Sequence, residues 1–255
     1  GGLAETFGSE LLLLLVASEH LLMGLLQTMV SSSTSFLFAA YEVEAQQMQV
    51  YNSILGLAGT LKPVIGLLSD SLPLCGYHKI SYMLPTTILG VIALTAIGVT
   101  PQTLLSVETL VCLLVMVRLQ ISTCHLLVEV SYFAQLREHP QAAPDLVSFV
   151  TAGKEVFNLL GATIVGATLL IFGVKVVFAF AVLPASFILW PLRWNALSER
   201  RLSQNEVKSS WQNLRTRPET VVLSMVMLAS SIVLSAAGLH RLSIWRSAGC
   251  ALLVV

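Results

Sequence analysis

The chain has 255 residues, of which 55% are hydrophobic and only 11% charged, with 14 basic side chains against 14 acidic ones. A soluble domain carries roughly 25% charged residues and must cover its surface with polar groups, so this composition excludes an ordinary soluble domain and points to lipid as the solvent. The zero formal net charge excludes bulk attraction to nucleic acid.

In chain order, seven runs are long and apolar enough to cross a bilayer, at about 11–38, 49–68, 82–100, 107–129, 146–169, 174–194 and 220–239, and an eighth begins near 244. A span needs roughly 20 apolar residues. With no closed-barrel pattern, helix follows from the need to satisfy every backbone group inside lipid. The first run is preceded by Glu5 and Glu10, where a signal peptide would carry basic residues, so it is expected to span. It places His20, Gly24, Gln27 and Ser31 at i, i+4, i+7 and i+11, one face of a regular α-helix. The second run carries Asn52, Gly56, Gly59 and Lys62, whose small residues allow close helix approach.

The fourth run holds the clearest set. Arg118, Ser122, His125 and Glu129 recur at i, i+4, i+7 and i+11, within about 60° of arc at 100° per residue. Ionisable groups inside a span are expensive and are functional candidates by default. A fixed cation near the midplane, a titratable imidazole and a carboxylate on one face can bind an anion and relay a proton. The fifth run adds Lys154, Glu155 and Asn158; Lys154 and Glu155 are adjacent and point about 100° apart, so they cannot both face one cavity.

Basic residues concentrate in the connections 69–81, 130–145 and 195–219, with Lys79, Arg137, Arg200, Arg201, Lys208, Arg215 and Arg217. By the positive-inside rule these connections and the N-terminus are expected in the cytoplasm. The other connections hold Arg241, with Lys175 and Arg246 just inside neighbouring spans. The segment 195–219 is the longest connection and follows six spans. Two six-helix halves joined by a long cytoplasmic loop is the major facilitator plan. The expected organisation is therefore an all-α membrane protein: a six-helix bundle over 11–194, a basic linker over 195–219, and the start of a second bundle over 220–255, one to two helices of it. The chain begins Gly1-Gly2 and ends inside an apolar run, which reads as a fragment of a longer protein.

Cys75, Cys112, Cys124 and Cys250 form no CxxC pair. They read as small apolar residues, so no metal site, disulfide framework or cofactor is expected. No HExxH, no GxSxG and no paired Asp motif lies within a span, so an enzyme is not expected.

The stretch from Lys62 through Pro63, Gly66, Ser69 and Asp70 to Gly76, Tyr77, His78 and Lys79 resembles the signature of the folate–biopterin transporter family, a branch of the major facilitator superfamily. Two further segments are similar: Leu127 to Glu129 with Tyr132 to Pro140 and Asp145 to Phe149, and Trp194 to Arg201. The three lie in order over roughly 40–205. The family usually carries an Asp four residues before the Glu129 position, where this chain has His125. The resemblance implies uptake of folates or related pterins, coupled to protons as symport, by alternating access. It makes Lys62, Pro63, Gly66, Asp70, Gly76 and Lys79 a conformational motif, in which Asp70 locks one state at the end of the bundle. The substrate and proton pathway is expected to use Arg118, Ser122, His125, Glu129, His20, Gln27, Glu155 and Asn158. The expected partners are a small-molecule substrate, the proton and the lipid bilayer, in either the plasma membrane or an organelle membrane. The alternatives are a transporter of the same fold for another small metabolite, and a non-transporting truncated membrane protein.

Overall fold

A computed structural model of the chain describes residues 2–73, 76–194, 197, 199, 219, 222–230 and 232–233. Most of the expected linker and most of the expected last spans lie outside the described residues. Among those described, eight helices build the bundle: α1 (Leu3–Phe7), α2 (Ser9–Ala40), α3 (Ala45–Thr60), α4 (Lys62–Ser71), α5 (Ile80–Val99), α6 (Val107–Glu138), α7 (Ala143–Ile171) and α8 (Val174–Arg193). Five of them, α2 and α5 to α8, are each long and apolar enough to cross a membrane. The protein is an all-α membrane protein, as the composition requires.

The expected second span is α3 and α4 joined at Leu61, and neither piece alone has the length of a span: 16 and 10 residues. The break has a local cause. Pro63 has no N–H to give and its ring crowds the preceding turn, so a helix bends or restarts there. Leu61 stays near helical geometry at φ −75°, ψ −13°, which makes the break a kink.

Helix α2 is wound as a wider π-type helix from Val16 to Leu26, between regular α-helical ends. Helix α6 starts where the Ser106 hydroxyl accepts the Thr109 N–H at 3.3 Å, with Glu108 in its first turn; both favour a helix start. Helices α7 and α8 are separated only by Phe172 and Gly173. Gly173 takes φ +86°, and both N–H groups return to the Thr168 carbonyl, at 2.9 and 3.1 Å. This ending needs a residue free to be left-handed.

Helix α2 sits at the centre and touches α6, α7 and α8; α5 lies between α6 and α8, and α3 rests on α6. Buried Leu14, Leu22, Leu26, Val30, Leu114 and Phe178 belong to the apolar core. The outside is apolar as well, with Ile88, Ile92, Leu159, Leu170 and Leu183 exposed, which is the surface a helix presents to lipid. Cys124 is buried, whereas Cys112 is exposed on the outer side of α6.

Close helix approach is set by glycine. A Cβ on Gly98 of α5 would lie 2.8 Å from the Ala179 nitrogen of α8, and one on Gly24 would lie 2.7 Å from the Lys154 carbonyl of α7. Backbone cannot swing aside as a side chain can. Gly98→Ala is expected to lower stability by about 1–3 kcal/mol, read as a lower thermal midpoint in detergent. Gly166→Ala, with nothing within 4 Å of the added methyl, should leave the midpoint unchanged or raise it slightly.

Candidate transport site

A cavity of about 230 Å³ opens between α2, α3, α4 and α6. Its polar lining is Gln27 of α2, Lys62 of α4, and Arg118 and Ser122 of α6. Among its described lining residues there are two cationic side chains and no carboxylate. Arg118 stands eleven residues into the 32-residue α6, about 16 Å along its axis. Its Nε is buried without a hydrogen-bond partner, an arrangement normally too costly to keep unless something else supplies the acceptor. Gly56 and Gly59 form the α3 wall, and a Cβ on either would meet nothing within 4 Å.

Two turns beyond Arg118 on α6, four charged or titratable groups converge. The His125 Nε2 lies 3.4 Å from a Glu19 carboxylate oxygen of α2. The His125 Nδ1 lies 3.2 Å from the Lys62 ammonium and 3.5 Å from a Glu129 carboxylate oxygen. Lys62 therefore belongs both to the cavity and to this cluster. Burial is graded: the Glu19 side chain is 8% exposed, His125 13% and Glu129 36%. Glu129 is the more exposed of the two carboxylates.

The α6 stripe of Arg118, Ser122, His125 and Glu129 thus borders one continuous polar region, with Gln27 and Lys62 facing it. The α2 stripe divides. Gln27 opens on the cavity, while His20 turns to α7. There its Nε2 lies 3.2 Å from the Phe149 carbonyl, its ring packs on Phe149 and Phe157, and the absent Cβ of Gly153 leaves it room. Gly24 also faces α7. Ser31 is exposed and bonds back to the Gln27 carbonyl. The wider winding of Val16–Leu26 causes this, because positions that share a face at 100° per residue no longer do so. The same winding brings Glu19 to His125. Sequence spacing passed over Glu19; the signal available was a lone carboxylate in an apolar run. Glu155 and Asn158 lie apart from the cavity, on the exposed side of α7, where Asn158 donates to Glu155 at 3.3 Å and accepts from the Thr28 hydroxyl.

The three segments that resemble one family meet at the end of the bundle that carries the 69–81 connection. The Lys79 ammonium donates to Ser131 at 2.7 Å. The Glu199 carboxylate accepts the backbone N–H groups of Lys79 and Ile80 at 2.9 and 3.2 Å, so it caps the N-terminus of α5. Ser69 donates to the His78 carbonyl at 3.1 Å and its own carbonyl accepts from His78 Nδ1 at 2.8 Å. Gly76 makes the turn at φ +84°, and Gly66 faces Leu126 of α6, where an added Cβ would make an ordinary contact at 3.7 Å. Asp70 is exposed and acts on Lys79 through its charge. Burial holds the Lys79 ammonium below the ordinary lysine range, and the carboxylates of Glu199 and Asp70 work against that.

The BT1 family model matches residues 23–241. The chain belongs to the BT1 family. This is the folate–biopterin transporter type that the Lys62–Lys79 signature resembles, related to the major facilitators, and the chain is accordingly a multi-pass membrane protein of a transporter family. No curated protein and no solved structure matches it. Among the described residues no group of His, Cys, Asp and Glu could hold a metal ion. The larger cavity of about 420 Å³, lined by Phe7, Glu10, Ser131 and Gln135, lies at the α1 end and has a carboxylate and no cation among its described lining residues.

Glu199→Ala removes the acceptor of two helix-starting N–H groups. Amides 79–82 should then exchange with deuterium about 5–30 times faster, the equivalent of about 1–2 kcal/mol of lost capping, with amides 90–97 unchanged. Unaltered exchange at 79–82 would mean that the cap contributes nothing.

Proposed function

We propose that this BT1-family chain serves a secondary active transporter of folates or related pterins, coupled to protons and working by alternating access. The observation that supports this reading is the cavity inside the bundle with two cations, Arg118 and Lys62, and no carboxylate among its described lining residues. A folate carries two carboxylates and a pterin carboxylate one, and a guanidinium matches a carboxylate in a planar, two-bond geometry. At about 230 Å³ the cavity suits the carboxylate-bearing end of such a ligand, since whole drug-sized ligands occupy roughly 300–1,000 Å³. Gln27 and Ser122 supply neutral hydrogen bonds beside the charges.

Alternating access needs an element whose contacts can break and re-form. The Lys79, Ser131 and Glu199 contacts, with the kink at Lys62-Pro63 above them, are suited to that, and Pro63, Gly66, Asp70 and Gly76 belong to the same device. The proton enters this reading through His125 and Glu129. The end bearing the 69–81 connection is assigned to the cytoplasm by its positive charge.

Uptake of labelled folate and labelled biopterin into transport-deficient cells across an acid-outside gradient tests the proposal. Wild-type protein should accumulate at least one of them. Arg118→Ala should cut the specificity of folate uptake by about 10–100-fold, the loss of a charged hydrogen-bonded pair. Gly59→Leu, which fills the cavity from the α3 wall, should abolish uptake while leaving surface expression intact. Accumulation of neither compound, together with accumulation of another anionic metabolite, would overturn the substrate assignment.

A further inference from the structure

Two groups compete for a single atom in this cluster. Lys62 Nζ stands 3.2 Å from His125 Nδ1 and Glu129 Oε2 stands 3.5 Å from the same Nδ1. An ammonium can only donate and a carboxylate can only accept, so Nδ1 serves one of them at a time. The other ring nitrogen is fixed, because Nε2 faces the buried Glu19 carboxylate at 3.4 Å, and a carboxylate there holds the proton on Nε2. The neutral ring is then the Nε2–H tautomer, with its free lone pair on Nδ1 facing Lys62.

We infer that His125 Nδ1 is a partner-exchange switch: unprotonated, it accepts from Lys62 and holds that ammonium at the cavity's edge, and protonated, it turns to Glu129 and releases Lys62 to an anion bound beside Arg118. The inference rests on the transport reading and adds to it the device by which a proton and an anion would be bound together. Charge counts agree. Glu19, Glu129 and Lys62 with neutral His125 sum to −1; one proton brings the cluster to zero and frees a cation that already lines the cavity. Proton binding therefore favours anion binding, and linkage requires that the anion favour the proton by the same factor. Glu129, the more exposed of the two carboxylates, is the way in for the proton.

The surroundings leave this exchange undisturbed. From α2 the ring is faced by Glu19, from α4 by Lys62, and from its own helix by Glu129, with Arg118 two turns away. The Tyr132 phenol lies within electrostatic reach of Glu19 and Glu129. On the α5 side Cys124 meets Thr87 at 3.4 Å, away from the ring. Helix α7 gives His125 no ion pair or hydrogen bond among the described contacts.

The test uses the full-length protein in lipid nanodiscs with ¹⁵N-histidine, the His125 signals being those lost in His125→Gln. At pH 8 the ring should be the Nε2–H tautomer with a hydrogen-bonded Nδ1, and in Lys62→Met the Nδ1 signal should move to that of a free acceptor. A proton on Nδ1 at pH 8, or a signal unmoved in Lys62→Met, would overturn the switch whatever the substrate is. Folate binding by equilibrium dialysis supplies the second readout. Wild-type affinity should be at least about tenfold higher at pH 5.5 than at pH 7.5, equal to about 1.4 kcal/mol, and Lys62→Met and Glu129→Gln should each reduce that ratio below about twofold. A full pH ratio retained in both variants would overturn the switch. Folate binding at neither pH would overturn the substrate assignment, and the tautomer would still decide the switch.

Discussion

Glu19 is a carboxylate withdrawn from water in the central helix of a membrane bundle, and much of the site follows from how it is compensated. Taking such a group out of water costs several kcal/mol, which only close opposite charge and hydrogen bonding return. Here the return comes from the His125 ring and the Ser18 hydroxyl, which donates to Glu19 at 3.3 Å, and behind the ring from Lys62. Glu19, His125 and Lys62 come from three different helices, α2, α6 and α4, so the electrostatics of one carboxylate fixes their relative rotation. Glu129 adds a second negative charge to the cluster, and Arg118 and Lys62 line the cavity beside it.

The glycines of the bundle serve two different purposes. Gly24 and Gly98 hold helices together where a methyl would strike backbone, as seams without a hydrophobic drive require. Gly56 and Gly59 meet nothing and bound open space. Small residues thus serve packing in one place and room in another, and only contact geometry separates the two uses. The capped start of α5 at Lys79 and Glu199 completes the account, because it ties a residue that follows the sixth span to the start of the third, and Lys79 in turn to the fourth through Ser131.

Much of this was legible in the sequence. The stripe Arg118, Ser122, His125 and Glu129 was readable because α6 is a regular α-helix over Val107–Glu138, where spacing converts directly to direction. The matching stripe on α2 was not, because the π-type winding of Val16–Leu26 turns His20 to α7 and Glu19 to His125. The second span was visible as an apolar run, yet its kink at Lys62-Pro63 appears only once the backbone is followed. The capping of α5 by Glu199 joins residues 120 apart in sequence, and no local pattern announces such a contact. The family signature was legible because its residues lie close together in the chain.

The central claim is that Arg118 and Lys62 border a wet, cationic cavity inside the bundle, and side-specific thiol chemistry tests it most directly. In a variant with the four native cysteines replaced, Ser122→Cys should react with small membrane-impermeant thiosulfonates, and the anionic reagent should react at least about ten times faster than the cationic one of similar size. Ile88→Cys, on the exposed apolar side of α5, should stay unreactive. A Ser122→Cys thiol as inert as that at position 88, or one that favours the cationic reagent, would contradict the account.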